Sequence, residues 1–138
     1  MKKLLMKLFG FKKAAPRKPR LAVIDDCGFI VRGIERDFAE THDVDVFYRI
    51  PDDLHELDKY DVLIVDGDGI GNTKFMNGVD FIREYEPFHK DKKIIHYTGL
   101  CTPQNRTELE SRGVKVVSKG GWPSELIEAV NGEGGKTK

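Results

Sequence analysis

Five side chains in this 138-residue chain could together carry out metal-assisted phosphoryl chemistry. An acidic pair, Asp25-Asp26, is followed by a third carboxylate, Asp66, then by the hydroxyl of Thr98 and the ammonium of Lys119. Carboxylates about 4 Å apart repel by roughly 1–4 kcal/mol per pair at surface-like dielectrics, so a cluster of three needs a counterion. Mg²⁺ prefers oxygen ligands of this kind. With metal and ammonium neutralising an incoming phosphoryl group, Asp66 can act as a nucleophile and form an acyl phosphate.

Each of these residues lies at or just beyond the carboxyl end of a short apolar run that is typical of a β-strand. The runs are rich in β-branched and aromatic residues and do not alternate strictly, as expected of parallel strands covered on both faces. The predicted strands are Leu21–Ile24, Val44–Tyr48, Val62–Val65, Ile94–Tyr97 and Val114–Val117. Because side chains at the carboxyl ends of parallel strands converge on one crevice, these strands would bring the five side chains together.

Segments with helical periodicity or capping signals separate the strands. The five predicted helices are marked by Ile30, Ile34 and Phe38, by Leu54 and Leu57, by Val79, Ile82 and Tyr85, by Thr102-Pro103 at the start of the fourth, and by Leu126, Ile127 and Val130 in the fifth, which stops at Asn131-Gly132. The pattern predicts a single doubly wound (βα)5 domain of the α/β class with a parallel five-stranded sheet.

The neutral net charge hides an asymmetry along the chain. Residues 1–20 hold eight Lys or Arg and no acid, so the remaining 118 residues hold 15 basic and 23 acidic side chains, a net of −8. We therefore divide the chain into a basic arm over 1–19, a domain over 20–131 and a loose tail over 132–138. No apolar run approaches the roughly 20 residues of a membrane span, and Lys7 interrupts the stretch that a secretory signal needs. The expected location is cytoplasmic.

The basic arm allows two interpretations. Apolar and basic side chains would fall on different sides of a short helix formed by residues 1–13, which suits peripheral contact with an anionic membrane. The side chains concerned are Leu4, Leu5, Leu8 and Phe9, with Lys2, Lys3, Lys7 and Lys12 around them. The other interpretation is a flexible lead-in. Specific nucleic-acid binding is not expected, because the sequence contains no helix-turn-helix or other reading domain.

Residues 20–131 resemble the receiver domains of two-component response regulators. The resemblance rests on an ordered set of motifs, LAVIDD, YDVLIVDGDG, NGVDFI, IIHYTG and VKVVSKGG. It implies a flavodoxin-like receiver fold with strand order 2-1-3-4-5. For the metal it implies Mg²⁺, with Asp26 as a direct ligand, Asp25 acting through water, Asp66 as a further ligand and the backbone carbonyl of Asp68 as the third protein ligand.

The resemblance also implies the remaining roles at the site. Asp66 would be the phosphoacceptor, Thr98 the switch hydroxyl and Lys119 the partner of the phosphoryl group, with Gly99 as the small residue after the threonine. The protein would be a single-domain response regulator that takes its phosphoryl group from a histidine kinase or phosphotransfer protein. It would be no enzyme beyond its own phosphorylation and slow dephosphorylation.

A regulator of this kind signals through the face formed by its fourth helix, fifth strand and fifth helix. Trp122 precedes Pro123 where Ser, Asp or Asn would normally cap the fifth helix. A residue that breaks a local rule can mark a functional surface. Trp122 therefore has two interpretations: it packs over neighbouring loops, or it contacts a downstream protein partner beside this face.

Three positions depart from the family pattern. Asp66 and the glycine that opens the third helix, Gly78, are 12 positions apart, about four more than usual, so the intervening loop is long. Val116 stands where an aromatic residue often couples to the threonine, so rotation of a buried ring cannot be the switch. Gly120 stands where many members have proline. These departures leave open a second interpretation, an unphosphorylated scaffold that binds its partner constitutively.

A third interpretation is enzymatic. The string LIVDGDGI also matches the nucleophile motif of haloacid-dehalogenase-type phosphohydrolases. That family needs a further acidic metal motif after the lysine, where this chain has only Glu125, Glu128 and Glu133, and it leaves Asp25-Asp26 unexplained.

The remaining metal-binding and redox residue types are predicted to have ordinary roles. Cys27 and Cys101 follow strands that the third strand separates, so we expect free thiols. The histidines show no metal-ligand spacing and are predicted to be surface or edge residues; they are His42, His55, His89 and His96.

Overall fold

The computed structural model of the chain describes residues 17–132. The predicted arm and tail lie almost wholly outside these residues, so the boundaries assigned to them stay predictions. Within the described part, no helix is both long and apolar enough to cross a membrane.

The five predicted strands form one parallel sheet in the order β2-β1-β3-β4-β5. Their bounds are β1 Arg20–Ile24, β2 Asp43–Phe47, β3 Val62–Val65, β4 Lys93–Thr98 and β5 Lys115–Ser118. The predicted fold class and strand order are therefore confirmed. The last strand begins after Val114 because the Val114 N–H donates to the Leu109 carbonyl at 3.0 Å and still belongs to the preceding helix end.

The described residues form four α-helices, three between strands and one after β5: α1 Gly28–Phe38, α2 Gly78–Tyr85, α3 Pro103–Ser111 and α4 Pro123–Asn131. Thus α3 and α4 are the predicted fourth and fifth helices. Thr102 caps α3 as predicted, since its hydroxyl accepts from the Asn105 N–H at 3.1 Å. A short 3-10 helix, Glu86–Phe88, follows α2.

The second predicted helix is wrong, because the segment between β2 and β3 contains only a 3-10 turn, Leu54–Leu57. The backbone before the turn is held by the long loop after β3. The Ile50 N–H donates to the Ile70 carbonyl at 2.8 Å, and the Asn72 side chain donates to the Pro51 carbonyl at 3.2 Å. A residue before proline is also pushed away from helical geometry. Little chain then remains for a longer helix.

Two hydrophobic layers cover the sheet. Alternate strand residues serve opposite faces, as Leu63 and Ile64 show: Leu63 packs in the layer with Phe81 of α2, and Ile64 in the layer with Leu126 of α4. Full burial of a side chain of this size contributes about 1.5–3 kcal/mol. The two layers leave the polar residues that follow the strands at the carboxyl edge of the sheet, where they can carry out chemistry.

Two of the four histidines are buried, so their prediction as surface or edge residues is wrong. His42 packs edge-on against Phe38, with its Nδ1 2.8 Å from the Thr41 hydroxyl. His96 lies inside the sheet, with Nδ1 3.1 Å from the Val65 carbonyl. Burial lowers the pKa of both rings from the ordinary value. His55 alone is fully on the surface, since His89 is half-buried and stacks on Tyr85.

These buried rings predict a pH-dependent stability. The unfolded histidines take up protons near pH 6.5, whereas the folded rings do so only at lower pH, so the unfolded state binds more protons in the window below about 6.5. The contribution is complete above pH 6.5 and is lost as the pH falls through the lowered folded values. Urea unfolding of wild type and a His42→Gln, His96→Gln variant at pH 5.5 and 7.5 should show a smaller decrease in the variant. His55→Gln serves as the control, and an equal decrease in all three proteins would contradict the prediction.

Candidate functional site

The carboxylates meet because the hydrogen bonds of the sheet continue past the strand ends. The Asp25 N–H donates to the Phe47 carbonyl at 3.0 Å, and the Asp66 N–H donates to the Ile24 carbonyl at 2.9 Å. One carboxylate oxygen each from Asp25, Asp26 and Asp66 lies within 4.8 Å of the others. Among residues 17–132 no other group of three His, Cys, Asp or Glu side chains converges in this way.

Lys119 reaches the carboxylates from the far side of the sheet edge. Its N–H donates to the Thr98 carbonyl at 2.9 Å, which extends the β4–β5 ladder. Its Nζ donates to Asp66 Oδ1 at 2.9 Å and forms an ion pair with Asp25 Oδ2 at 2.8 Å. Burial alone would lower the pKa of Lys119, but the contacts with Asp25 and Asp66 outweigh it and raise the pKa above the ordinary value. The ammonium therefore stays charged.

The carboxylate of Asp66 has a raised pKa. Burial raises its pKa, and repulsion from Asp25 adds to this, while the hydrogen bonds from Lys119 and from the Gly67 N–H at 2.7 Å oppose the shift. The net pKa is raised, chiefly because of burial. By formal charge, three carboxylates and one ammonium leave the cluster with a surplus of negative charge. Both hydrogen bonds go to Oδ1, and among the described residues none donates to Oδ2.

The loop after β3 is shaped around Asp26. Gly69 has a φ of +84°, and a Cβ there would lie 2.3 Å from Asp26 Oδ2. The exposed carboxylate of Asp26 thus lies directly over a backbone that carries no side chain. An oxygen-rich site with surplus negative charge and an open side is suitable for a hard divalent cation. The residues fit Mg²⁺, and the role of the Asp68 carbonyl in the same loop stays a prediction.

The start of α2 packs against the backbone of Asp66. The Gly78 N–H donates to the Gly67 carbonyl at 2.7 Å, and a Cβ on Gly78 would lie 1.8 Å from the Asp66 carbonyl oxygen. The side chain of Asn77 caps the helix by accepting from the Asp80 N–H at 2.9 Å. The start of α2 therefore fixes the position of the Asp66 backbone in the crevice.

The long loop between Gly67 and Asn77 is ordered by its own contacts. The Asn72 side chain accepts from the Lys74 and Phe75 N–H groups at 2.8 and 2.7 Å. Ile70 and Phe75 are buried in the core layer on the α2 side of the sheet. The extra residues are thus built into the domain beside the site.

Thr98 lies at the site but does not bond to Asp66 in this structure. Its hydroxyl donates to the Leu100 carbonyl at 3.1 Å. It lies 2.9 Å from where a Cβ on Gly67 would be, so it packs against the residue that follows Asp66.

The buried His96 is a site neighbour that the sequence interpretation missed. It pairs with Val116 across β4 and β5 and lies beneath Gly67, with its ring Cε1 3.6 Å from where a Cβ there would be. The signal was available, because a residue two before Thr98 on one strand must share its face of the sheet. His96 is thus the cross-strand neighbour of Val116.

Trp122 and the two cysteines are the other residues near the site that the sequence singled out. Trp122 precedes α4 without a side-chain cap and is 77% exposed. Cys27 and Cys101 are free, as predicted. The Cys27 N–H donates to Asp25 Oδ1 at 2.9 Å, so the backbone at Cys27 helps to orient that carboxylate.

Comparison with solved structures identifies the architecture. The BeF3-activated receiver domain of DrrB, from Thermotoga maritima, is 19% identical with a TM-score of 0.68, and the match covers 82% of this chain and 94% of that one. A CheY-like response regulator receiver domain protein from Methanospirillum hungatei is 17% identical with a TM-score of 0.69, over 82% and 90% of the chains. A chain of the CheX-CheY-BeF3-Mg+2 complex from Borrelia burgdorferi is 16% identical with a TM-score of 0.68, over 83% and 87%.

The chain therefore has the fold of response regulator receiver domains, with an acidic aspartate cluster at the carboxyl edge of the sheet. No protein-family model matches the sequence, and neither does any curated protein.

The packing of α2 on Asp66 predicts which glycine the domain cannot lose. Gly78→Ala should lower the free energy of unfolding by roughly 1–3 kcal/mol, because the new methyl group would meet backbone that cannot swing away. Gly33→Ala is the matched control: its Cβ would approach only the end of the Arg36 side chain, at 3.7 Å, and alanine favours a helix by about 1 kcal/mol. Urea unfolding of both variants measures the difference, and a Gly78→Ala protein as stable as wild type would refute this account.

Proposed function

We propose that this protein is a single-domain response regulator that accepts a phosphoryl group on Asp66 from a histidine kinase or phosphotransfer protein. The observation that carries the proposal is the Lys119 ammonium, 2.8 and 2.9 Å from Asp25 and Asp66 within a cluster of three carboxylates. This arrangement suits a site that receives a phosphoryl group together with a metal ion. The chain's own chemistry is phosphorylation and slow dephosphorylation of itself.

The residues divide the work of the transfer. Asp66 Oδ2, which accepts no hydrogen bond from the described residues, attacks phosphorus in line as the bond from phosphorus to the donor nitrogen breaks. Lys119 stays charged and faces the negative charge on the phosphoryl oxygens. Asp25, Asp26 and the Asp68 carbonyl would hold Mg²⁺, which neutralises phosphoryl charge when bound. The Thr98 hydroxyl then exchanges the Leu100 carbonyl for a phosphoryl oxygen.

The signal would leave through the face formed by α3, β5 and α4. An open depression of about 580 Å³ lies on this face, between Arg106 and Glu110 of α3 and Glu125 and Ala129 of α4. Trp122 is exposed at the adjoining start of α4. We place the downstream protein contact here. The peripheral membrane contact through residues 1–13 lies outside the described residues and stays a prediction.

The phosphohydrolase alternative gains no support from the geometry. Its further acidic motif would have to come from Glu125, Glu128 or Glu133, and neither Glu125 nor Glu128 belongs to the carboxylate cluster; Glu133 lies beyond the described residues. Asp25 and Asp26, which that alternative leaves without a role, lie in the cluster.

Intact mass after incubation with Mg²⁺ and acetyl phosphate tests the proposal. Wild type should gain one phosphoryl group, Asp66→Asn should gain none, and removal of Mg²⁺ with EDTA should prevent the gain. Asp68→Asn is the matched control, since it alters the neighbouring carboxylate but keeps the backbone carbonyl, and it should still be phosphorylated. If wild type binds Mg²⁺ but gains no mass, the unphosphorylated scaffold becomes the better account.

Replacement of Lys119 separates its metal and phosphoryl roles. Lys119→Met removes a positive charge beside the carboxylates, so Mg²⁺ should bind more tightly, on the order of tenfold or about 1.4 kcal/mol. Phosphorylation by acetyl phosphate should nevertheless slow, because the phosphoryl oxygens lose their ammonium partner. Isothermal titration gives the affinity and time-resolved intact mass the rate. Lys115→Met, at the opposite end of β5 and outside the cluster, should change neither. Unchanged phosphorylation in Lys119→Met would remove Lys119 from the mechanism.

A further inference from the structure

The exposed large apolar side chains of the described residues are not scattered. Five of the six follow the carboxyl ends of five different strands, where the acidic crevice lies, and are 59% to 88% exposed. They are Phe29, Tyr48, Met76, Leu100 and Trp122, which we call the apolar ring. The sixth, Phe88, lies before β4 at the opposite edge of the sheet. Concentrated apolar exposure of this kind marks an interaction surface.

Backbone contacts tie two members of the apolar ring to the site. Tyr48 follows Phe47, whose carbonyl accepts from the Asp25 N–H at 3.0 Å. Met76 lies two residues before Gly78, which is bonded to the loop after Asp66. Both residues therefore lie close along the chain to backbone that is bonded to the site.

The other members adjoin the site through shared hollows. Leu100 lines a cavity of about 250 Å³ together with Gly67 and Asp68. Phe29 lines a groove with Lys119, and the residues on either side of Trp122 line it too. The apolar ring thus surrounds the crevice on several sides.

The centre of the surface inside the apolar ring is acidic. Asp25, Asp26, Asp66 and Asp68 lie in or beside the crevice, and Lys119 is the cation that the cluster contacts. The groove beside Phe29 also contains Arg32 and Arg36 with Asp37, so a cationic ligand is matched at the centre of the surface rather than in this groove. A ligand for the centre must therefore combine apolar side chains with positive charge.

We propose that this surface binds residues 1–13 of the same chain. These residues contain five lysines and no acid, interspersed with leucine, methionine and phenylalanine, so they match the surface in both charge and apolarity. An anionic membrane is a less favoured partner for residues 1–13, because it would repel the rest of the chain, whose residues from 21 onward carry a net charge of −8. This interaction goes beyond the proposed function and does not depend on phosphoryl transfer.

The connection is long enough for the arm to reach. β1 begins at Arg20 at the opposite edge of the sheet, and its five residues span about 17 Å. Residues 14–19 can extend up to about 20 Å. Tethering at this range gives an effective concentration on the order of millimolar. A contact with a dissociation constant of about a millimolar would therefore be occupied about half the time.

Trp122 reports on docking because it is the single tryptophan of the chain. Acrylamide quenching of the full-length wild type should give a Stern–Volmer constant roughly half that of a Lys2→Glu, Lys3→Glu, Lys7→Glu variant, as expected for half occupancy. Raising the salt from 0.15 to 1 M should raise quenching in wild type, since the screening length falls from about 8 to about 3 Å.

Two substitutions in the domain complete the test. Leu100→Ser, in the apolar ring, should raise quenching of Trp122, whereas Phe88→Ser, at the opposite edge, should leave it at the wild-type value. Equal quenching in wild type and the lysine variant would overturn the proposal. If, in addition, only wild type bound anionic vesicles, the arm would be assigned to the membrane. Protection that disappears on dilution would overturn it in favour of docking between copies.

Discussion

The site depends on the repulsion between carboxylates that the parallel sheet brings to one edge. Asp25 and Asp66 follow adjacent strands in register, so their side chains cannot separate without breaking the sheet ladder. Lys119 answers part of that repulsion from two strands away, and its pKa is raised as a result. The negative charge that Lys119 leaves uncompensated makes the crevice suitable for a divalent cation.

Close backbone packing then determines where the charges lie. Gly69 leaves room for the Asp26 carboxylate, and Gly78 lets α2 begin against the carbonyl of Asp66. The long loop between them is held by Asn72 and by buried apolar side chains rather than left open. The long loop therefore forms part of one wall of the crevice and leaves Asp66 firmly held.

Charge also connects the domain with the rest of the chain. The residues up to Arg20 and the domain that follows them have opposite net charges. The carboxylate cluster lies at the edge of the sheet that also carries five exposed apolar side chains. Under the docking proposed above, the chain's own arm would occupy this edge, so access to Asp66 would depend on the position of the arm.

The sequence by itself determined the strands and the convergence of Asp25, Asp26, Asp66 and Lys119, because hydrophobic runs and strand-end residues are local signals that a parallel sheet converts directly into position. The order of the strands followed only from the resemblance to receiver domains. Tertiary structure alone decided three other features. The second helix shrank to a 3-10 turn because Ile50 is tied to a distant loop, and His96 proved to be buried because β3 and β5 enclose its strand. The apolar ring became visible only once five separate loops met at one edge, since each of its residues is an unremarkable exposed side chain in its own segment.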